Sequence, residues 1–207
     1  MGVVSENAVR PNRRGIKSRG LVLDAAERVM AREGFEAATI ARVVDDSGVP
    51  LSSVYHYYGS KDGVLVAVMQ RGADRFFADV PDRDERTGTA SEHLRAVIAT
   101  AVEALERHPN FLRLLIVFAV QPPHAGAGDV AAVVQQVRQT ALKRLRKQVA
   151  VAFGDDARSR LTDQLARFAL AAIDGAFVAA QSDRGVTLGK LLDPLPDALV
   201  AARRTRR

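Results

Sequence analysis

The sequence predicts an all-α fold in two parts: three short helices, then a series of longer ones. Two observations predict it. Apolar residues recur at spacings of three and four along most of the chain, and no stretch alternates apolar with polar over strand length. Glycine and proline then cut residues 18–58 into three short segments, whereas the breaks beyond Pro81 are further apart.

Residues 1–17 read as a flexible basic arm, because Pro11 and Gly15 interrupt any early helix. From Ser18 as N-cap, Leu21, Val22, Ala25, Ala26 and Val29 form the stripe of a first helix, and Gly34 before Phe35 has the form of a left-handed C-terminal glycine. Thr39 opens a second, short helix carrying Ile40, Val43 and Val44, which stops at Ser47-Gly48. A third begins near Pro50 and runs through Tyr57, and Ser60 caps a fourth with Val64, Leu65, Val68 and Met69 inward. Thr89 and Glu92 have capping-box spacing, opening a helix that ends at His108-Pro109. Phe111 to Val120 is an apolar segment closed by Pro122-Pro123, and 121–128 reads as a linker. Amphipathic helices are expected from about Asp129 to Phe153 and from about Ala157 to Asp183. Asp193 is the expected N-cap of the last helix, with Pro194 and Pro196 in its first turn. The expected division is an arm at 1–17, a three-helix module at 18–62 and a helical remainder at 63–207.

Composition bounds the function classes. With 47% hydrophobic and 26% charged residues over 207 positions, the chain is globular rather than disordered. It has no cysteine, which excludes disulfides, zinc–thiolate sites and cysteine nucleophiles. No uninterrupted apolar run approaches the roughly 18 residues of a membrane span, and Arg10, Arg13, Arg14, Lys17 and Arg19 follow no apolar run of a secretory signal. A cytoplasmic location and no membrane partner are therefore expected. The net charge of +6 is uneven: residues 10–19 hold five basic groups and no acid, and residues 203–207 hold four more, so the remainder is net −3. A basic arm of that kind suits phosphate contact. The four histidines are scattered with no i,i+4 pair, and there is no glycine-rich phosphate loop or nucleophile elbow. Neither a metal, a cofactor nor a catalytic constellation is expected.

Three short helices within 18–58 have the layout of a helix-turn-helix. That layout needs a tight turn between the second and third helices, which Gly48 permits, and apolar residues to lock them, here Ile40, Val43, Val49 and Val54. It also needs a third helix whose outer face carries small and hydrogen-bonding side chains. Ser52, Ser53, Tyr55 and His56 fit, with Lys61 at the start of the fourth helix. Residues 21–71 resemble the DNA-binding domain of the tetracycline-repressor (TetR) family: Ala25-Ala26, Gly34-Phe35, Thr39, Gly48-Val49, Tyr55, Tyr58, Ser60-Lys61 and Asp62 follow the family pattern in order and spacing. Val44, Pro50 and Tyr58 depart from it, standing where alanine, a hydroxyl cap and phenylalanine are usual.

The resemblance implies a binding partner, double-stranded operator DNA. It places Thr39, Ser53, Tyr55 and Lys61 at phosphates and Ser52 and His56 at bases; Tyr57 divides evenly between core and contact. It also implies that the longer helical part is a ligand-binding and dimerisation domain. Ala169, Ala172, Ala176 and Ala180, spaced by three and four beside Gly175, are the candidate homodimer seam. Phe76, Phe77, Phe111, Phe118 and Phe168 are candidate walls for a small hydrophobic ligand, and Gln121, Gln135 and Gln139 are candidate polar handles; Asp174 is a candidate to orient a ligand amine or to cap across the dimer, with His93 a further candidate for either role. The competing expectation is an all-helical carrier of small molecules without DNA function.

Overall fold

The computed structural model describes residues 13–120 and 128–205. Ten helices and no strand occur among them. They are α1 (Arg13–Glu33), α2 (Ile40–Ser47), α3 (Leu51–Tyr58), α4 (Lys61–Asp79), α5 (Ala90–Arg107), α6 (Pro109–Val120), α7 (Gly128–Phe153), α8 (Arg160–Ser182), α9 (Leu188–Leu192) and α10 (Leu195–Arg204). The chain divides into two compact units, Met1–Val68 and Met69–Arg207. The division falls inside α4, six residues beyond the expected boundary. Val64, Leu65 and Val68 are wholly buried and belong to the first unit, so the helix that opens the second part also completes the first.

In the first unit α1 starts at Arg13, five residues before the expected cap at Ser18, and runs through Gly15. One glycine costs a helix roughly 1 kcal/mol relative to alanine, too little to break a segment otherwise rich in arginine and lysine. The rest of the expected arm, like the linker at 121–127, lies outside the described residues. Thr39 caps α2 by accepting the Arg42 N–H at 3.3 Å, a contact typically worth about 1 kcal/mol. Gly48 then takes φ 66°, a left-handed conformation that reverses the chain into α3. Val22, Ala25, Ala26 and Val29 of α1 form the core with Val43, Val54 and Leu65. Arg28 pairs with Asp46 at 2.6 Å and ties α1 to α2 on the surface.

The second unit is built on the antiparallel-type pairing of long helices, α7 against α8, with α5, α9 and α10 packed beside them. Thr89 and Glu92 make the expected capping box at the start of α5. Ser159 caps α8, so that helix begins three residues later than expected. Asp193 ends α9 rather than capping α10: its N–H donates to Gly189 O, its carboxylate pairs with Arg95 at 2.6 Å, and Pro194 stands at the N-cap of α10. Gly72 brings α4 and α6 together. A Cβ there would collide with Phe111 Cδ2, so only glycine lets that ring lie against the α4 backbone. Among the described helices, α8 alone is long and apolar enough to cross a membrane. Here it is a packed helix whose Asp163 and Asp174 pair with Arg146 and Arg138 of α7.

Candidate functional site

The first site is the outer face of α3. Val54 points into the first unit's core, while Leu51, Ser52, Tyr55 and His56 share the exposed side. Tyr55 is 49% exposed, a large ring left half open to solvent. Leu51 was not among the sequence candidates. It stands one turn before Tyr55 and is 48% exposed, and the helical register alone would have found it. Thr39 is exposed and Ser53 half-buried on the flank. Tyr57 is half-buried under the Arg19 guanidinium, 5.0 Å from its ring centre, and the Tyr58 hydroxyl donates to Arg19 O at 3.2 Å. Both rings therefore anchor α3 to α1.

Lys61 differs from a free phosphate contact. Its Nζ donates to Glu36 O at 3.1 Å and sits 4.2 Å from the centre of the Phe35 ring. The ammonium thus closes the α1–α2 turn as well as standing at the N-terminus of α4. Among the basic residues of 10–19, Arg14, Lys17 and Arg19 are exposed. Arg203 belongs to the basic C-terminal cluster in sequence only: it makes two hydrogen bonds to Asp155, at 2.9 and 2.8 Å, and lies over the Phe153 ring.

The second site is a cavity inside the second unit. Phe76, Phe77, Phe111 and Asp174 line it together, with Val97, Leu105, Leu115, Ala141, Leu145 and Ile173. About 100 Å³ of it is open to the centre of a water-sized sphere. Two of the expected walls are elsewhere. Phe118 lines an open groove outside the cavity, and Phe168 is 48% exposed on the outer side of α8. Phe168 falls there because it is out of phase with Leu165, Ala169 and Phe177, which face inward. Gln135 and Gln139 also line the outer groove, and Gln121 lies outside the described residues.

Asp174, Arg138 and Arg144 of the cavity lining are already engaged, and Arg83 lines it as well. Asp174 accepts from Arg138 Nη2 at 2.7 Å. Arg144 Nη1 donates to Phe77 O and Val80 O at 2.9 and 2.7 Å and lies over the Phe77 ring, so it satisfies carbonyls at the end of α4. Arg138 and Arg144 carry the polar chemistry here, and nothing in their helical spacing on α7 marked them. His93 is fully buried behind the cavity wall. The Thr87 N–H donates to its Nδ1, so Nε2 carries the proton and donates to Gln148 Oε1 at 3.2 Å, while Gln148 Nε2 donates to Arg83 O. Burial, with the charges of Arg83 and Arg86 adding to it, holds the His93 pKa below its ordinary value against the opposing Gln148 bond. His93 is a neutral structural group.

The alanine seam is corrected by burial. Ala169 and Ala176 are 2% and 9% exposed and face this chain's own core, with Ala172 and Ala180 half-buried. The open side of α8 carries Phe168, Ala171, Gly175 and Val178 instead. The expected stripe therefore lies largely on the side of α8 that packs within the chain, because small residues suit close packing equally well within a subunit.

A core-locked three-helix module presenting an exposed third helix, in one chain with an all-helical unit enclosing an apolar cavity, is a helix-turn-helix architecture. The sequence profile of bacterial regulatory proteins, tetR family, matches residues 22–68. The HTH-type transcriptional repressor KstR2 of Mycobacterium tuberculosis is 29% identical over 90 residues, 44% of this chain and 45% of that protein. The chain therefore matches less than half the length of that relative. The HTH-type transcriptional regulator BetI of Brucella canis is 24% identical over 157 residues, 76% of each chain. A crystal structure of a tetR-family transcriptional regulator from Streptomyces coelicolor shares the fold with a TM-score of 0.73, at 17% identity, over 99% of this chain and 83% of the other. Residues 22–68 thus match the tetR family of bacterial regulatory proteins, and the chain shares its fold with a tetR-family regulator. The carrier alternative, without DNA function, is not favoured.

Proposed function

We propose that this protein is a homodimeric transcriptional repressor of the cytoplasm that binds a pseudo-palindromic operator and releases it when a small hydrophobic molecule fills the cavity. The observation that carries the reading is the exposed face of α3: Leu51, Ser52, Tyr55 and His56 stand clear of a helix whose other side is locked into the core. Ser52 and His56 read base edges, Leu51 suits a thymine methyl, and Tyr55, Ser53, Thr39 and Lys61 reach phosphates. Two-fold symmetry then sets two α3 helices in successive major grooves, roughly 34 Å apart.

The second copy docks on the open side of α8. Phe168, Ala171, Gly175 and Val178 make an unbroken apolar stripe, and an exposed stripe of that kind marks an interface. Release runs through α4, a continuous helix of 19 residues whose length is about 28 Å. Its first turn holds Lys61. Its last turns hold Phe76 and Phe77 at the cavity, where Arg144 binds the terminal carbonyls and Asp79 accepts from His108 Nε2 at 2.8 Å. A ligand that displaces those rings moves an element which also carries a DNA contact. A tenfold loss of operator affinity requires only about 1.4 kcal/mol of such coupling. The test is a gel-shift titration against DNA flanking the protein's own gene, with random duplex as competitor. Retarded complexes that random duplex displaces as readily as the flanking DNA would overturn the reading.

A further inference from the structure

The apolar cavity and a basic groove beside it share a wall. Arg138 of α7 and Leu170 of α8 line both. The groove runs between α6, α7 and α8 and also carries Lys143, Arg146 and Arg167, with Phe118 on its side. Asp163 is shared by Arg146 and Arg167, and Asp174 answers Arg138. Lys143 is exposed with no acidic partner among the described residues, so the groove keeps an excess of positive charge directly outside an apolar chamber.

We propose that the ligand is an amphipathic anion, with its apolar body between Phe76, Phe111 and Leu105 and its carboxylate or phosphate head passing Arg138 into the basic groove. The inference rests on reading the cavity as the ligand site and names the chemistry of what fills it. Arg138 is the cavity cation that also stands on the wall of the basic groove. Arg144 is committed to two backbone carbonyls and Gln148 to His93 and Arg83, whereas Arg138 holds one carboxylate oxygen of Asp174 in a pair whose side chains are each about one-third exposed. A pair so open to water is weakly held. An incoming oxyanion offers the guanidinium an equivalent charge-assisted bond, bidentate where the geometry allows. Lys143 and Arg146 then add attraction that Asp174 cannot supply. A cationic head would meet the same groove as repulsion, and a neutral ligand would gain nothing from it.

The test is calorimetric titration of the full-length protein, at low salt and micromolar concentration, with dodecanol, dodecanoate, dodecyl phosphate and dodecylamine. Their tails are equal, so differences report the head. The two anions should bind at least about tenfold tighter than dodecanol, a gap equivalent to about 1.4 kcal/mol, and added salt should narrow that gap. Arg138→Met should remove the preference, so that the anions bind that variant no more tightly than dodecanol does. Asp174→Asn should tighten the anions alone by releasing Arg138. Lys143→Glu, an exposed change that leaves the cavity untouched, should weaken dodecyl phosphate more than dodecanoate if the head reaches the groove. Equal affinity for dodecanol and both anions would overturn the inference while leaving the cavity as a ligand site. Tighter binding of dodecylamine would overturn it too. No binding by any of the four would remove the cavity reading itself.

Discussion

Lys61 combines a proposed DNA contact with an internal one seen in the structure. The family pattern places it at a phosphate, while the structure gives its ammonium the Glu36 carbonyl and the Phe35 ring. A charged hydrogen bond and an exposed cation–π contact together support the α1–α2 turn by on the order of 1–2 kcal/mol. Lys61→Ala should therefore lower the thermal midpoint as well as weakening binding to operator and random duplex alike. His56→Ala should leave the midpoint unchanged and reduce the preference for operator. A Lys61→Ala variant as stable as the parent, measured by urea unfolding, would show that the internal contacts are idle. His93 makes a separate prediction. Its folded pKa is lowered by burial, so the unfolded chain binds the proton more readily. Stability is then insensitive to this group above the unfolded value of about 6.5 and falls as the pH drops below it. The slope approaches at most about 1.4 kcal/mol per pH unit while only the unfolded form is protonated. His93→Gln should flatten urea midpoints measured between about pH 6.5 and pH 5, where carboxylates titrate little. An unchanged slope in that variant would assign the acid sensitivity elsewhere.

At the scale of the element, α8 separates two faces that its sequence makes look alike. Ala169 and Ala176 are packed inside the chain, whereas Phe168 and Val178 stand open to solvent at 48% and 46%. Phe168→Glu and Val178→Glu should each yield a monomer that keeps its helix content. Ala169→Arg and Ala176→Arg should instead unfold the second unit, because each forces a charge into a packed core. Sedimentation and circular dichroism together distinguish the outcomes. A Phe168→Glu variant that still dimerises at micromolar concentration would show that this stripe is not the interface. Helix α4 carries the same lesson for its boundary. Its first half completes the core of one unit and its second half belongs to the other, so no break in sequence marks the division at Val68 and Met69.

For the whole molecule, two linked equilibria follow from the proposed function. If one dimer neutralises roughly 6 phosphates, log affinity for duplex should fall against log salt with a slope near −5. Salt-independent association would contradict phosphate-driven binding. Coupling between operator and ligand is reciprocal, so saturating operator should weaken ligand binding by the same factor by which ligand weakens operator binding. Titrating ligand with and without operator measures that factor directly, and equal affinities in the two would show that the cavity does not gate DNA.

What the sequence determined by itself is what local chemistry decides. Helix periodicity gave the all-α class, and Thr39, Gly48, Ser60 and the Thr89–Glu92 pair gave helix boundaries, because caps and left-handed turns depend on neighbours a few residues away. The spacing from Ala25 to Asp62 was long and specific enough to show the N-terminal module and its outward face. The tertiary structure alone decided which side of α8 is free, that Phe168 and Phe118 leave the cavity, that Asp193 closes α9, and that Arg138 and Arg144 supply the cavity's polar chemistry. Each of those depends on which residues from distant segments meet. Helical phase is readable from one strand of sequence, but the partner that buries a given face is not.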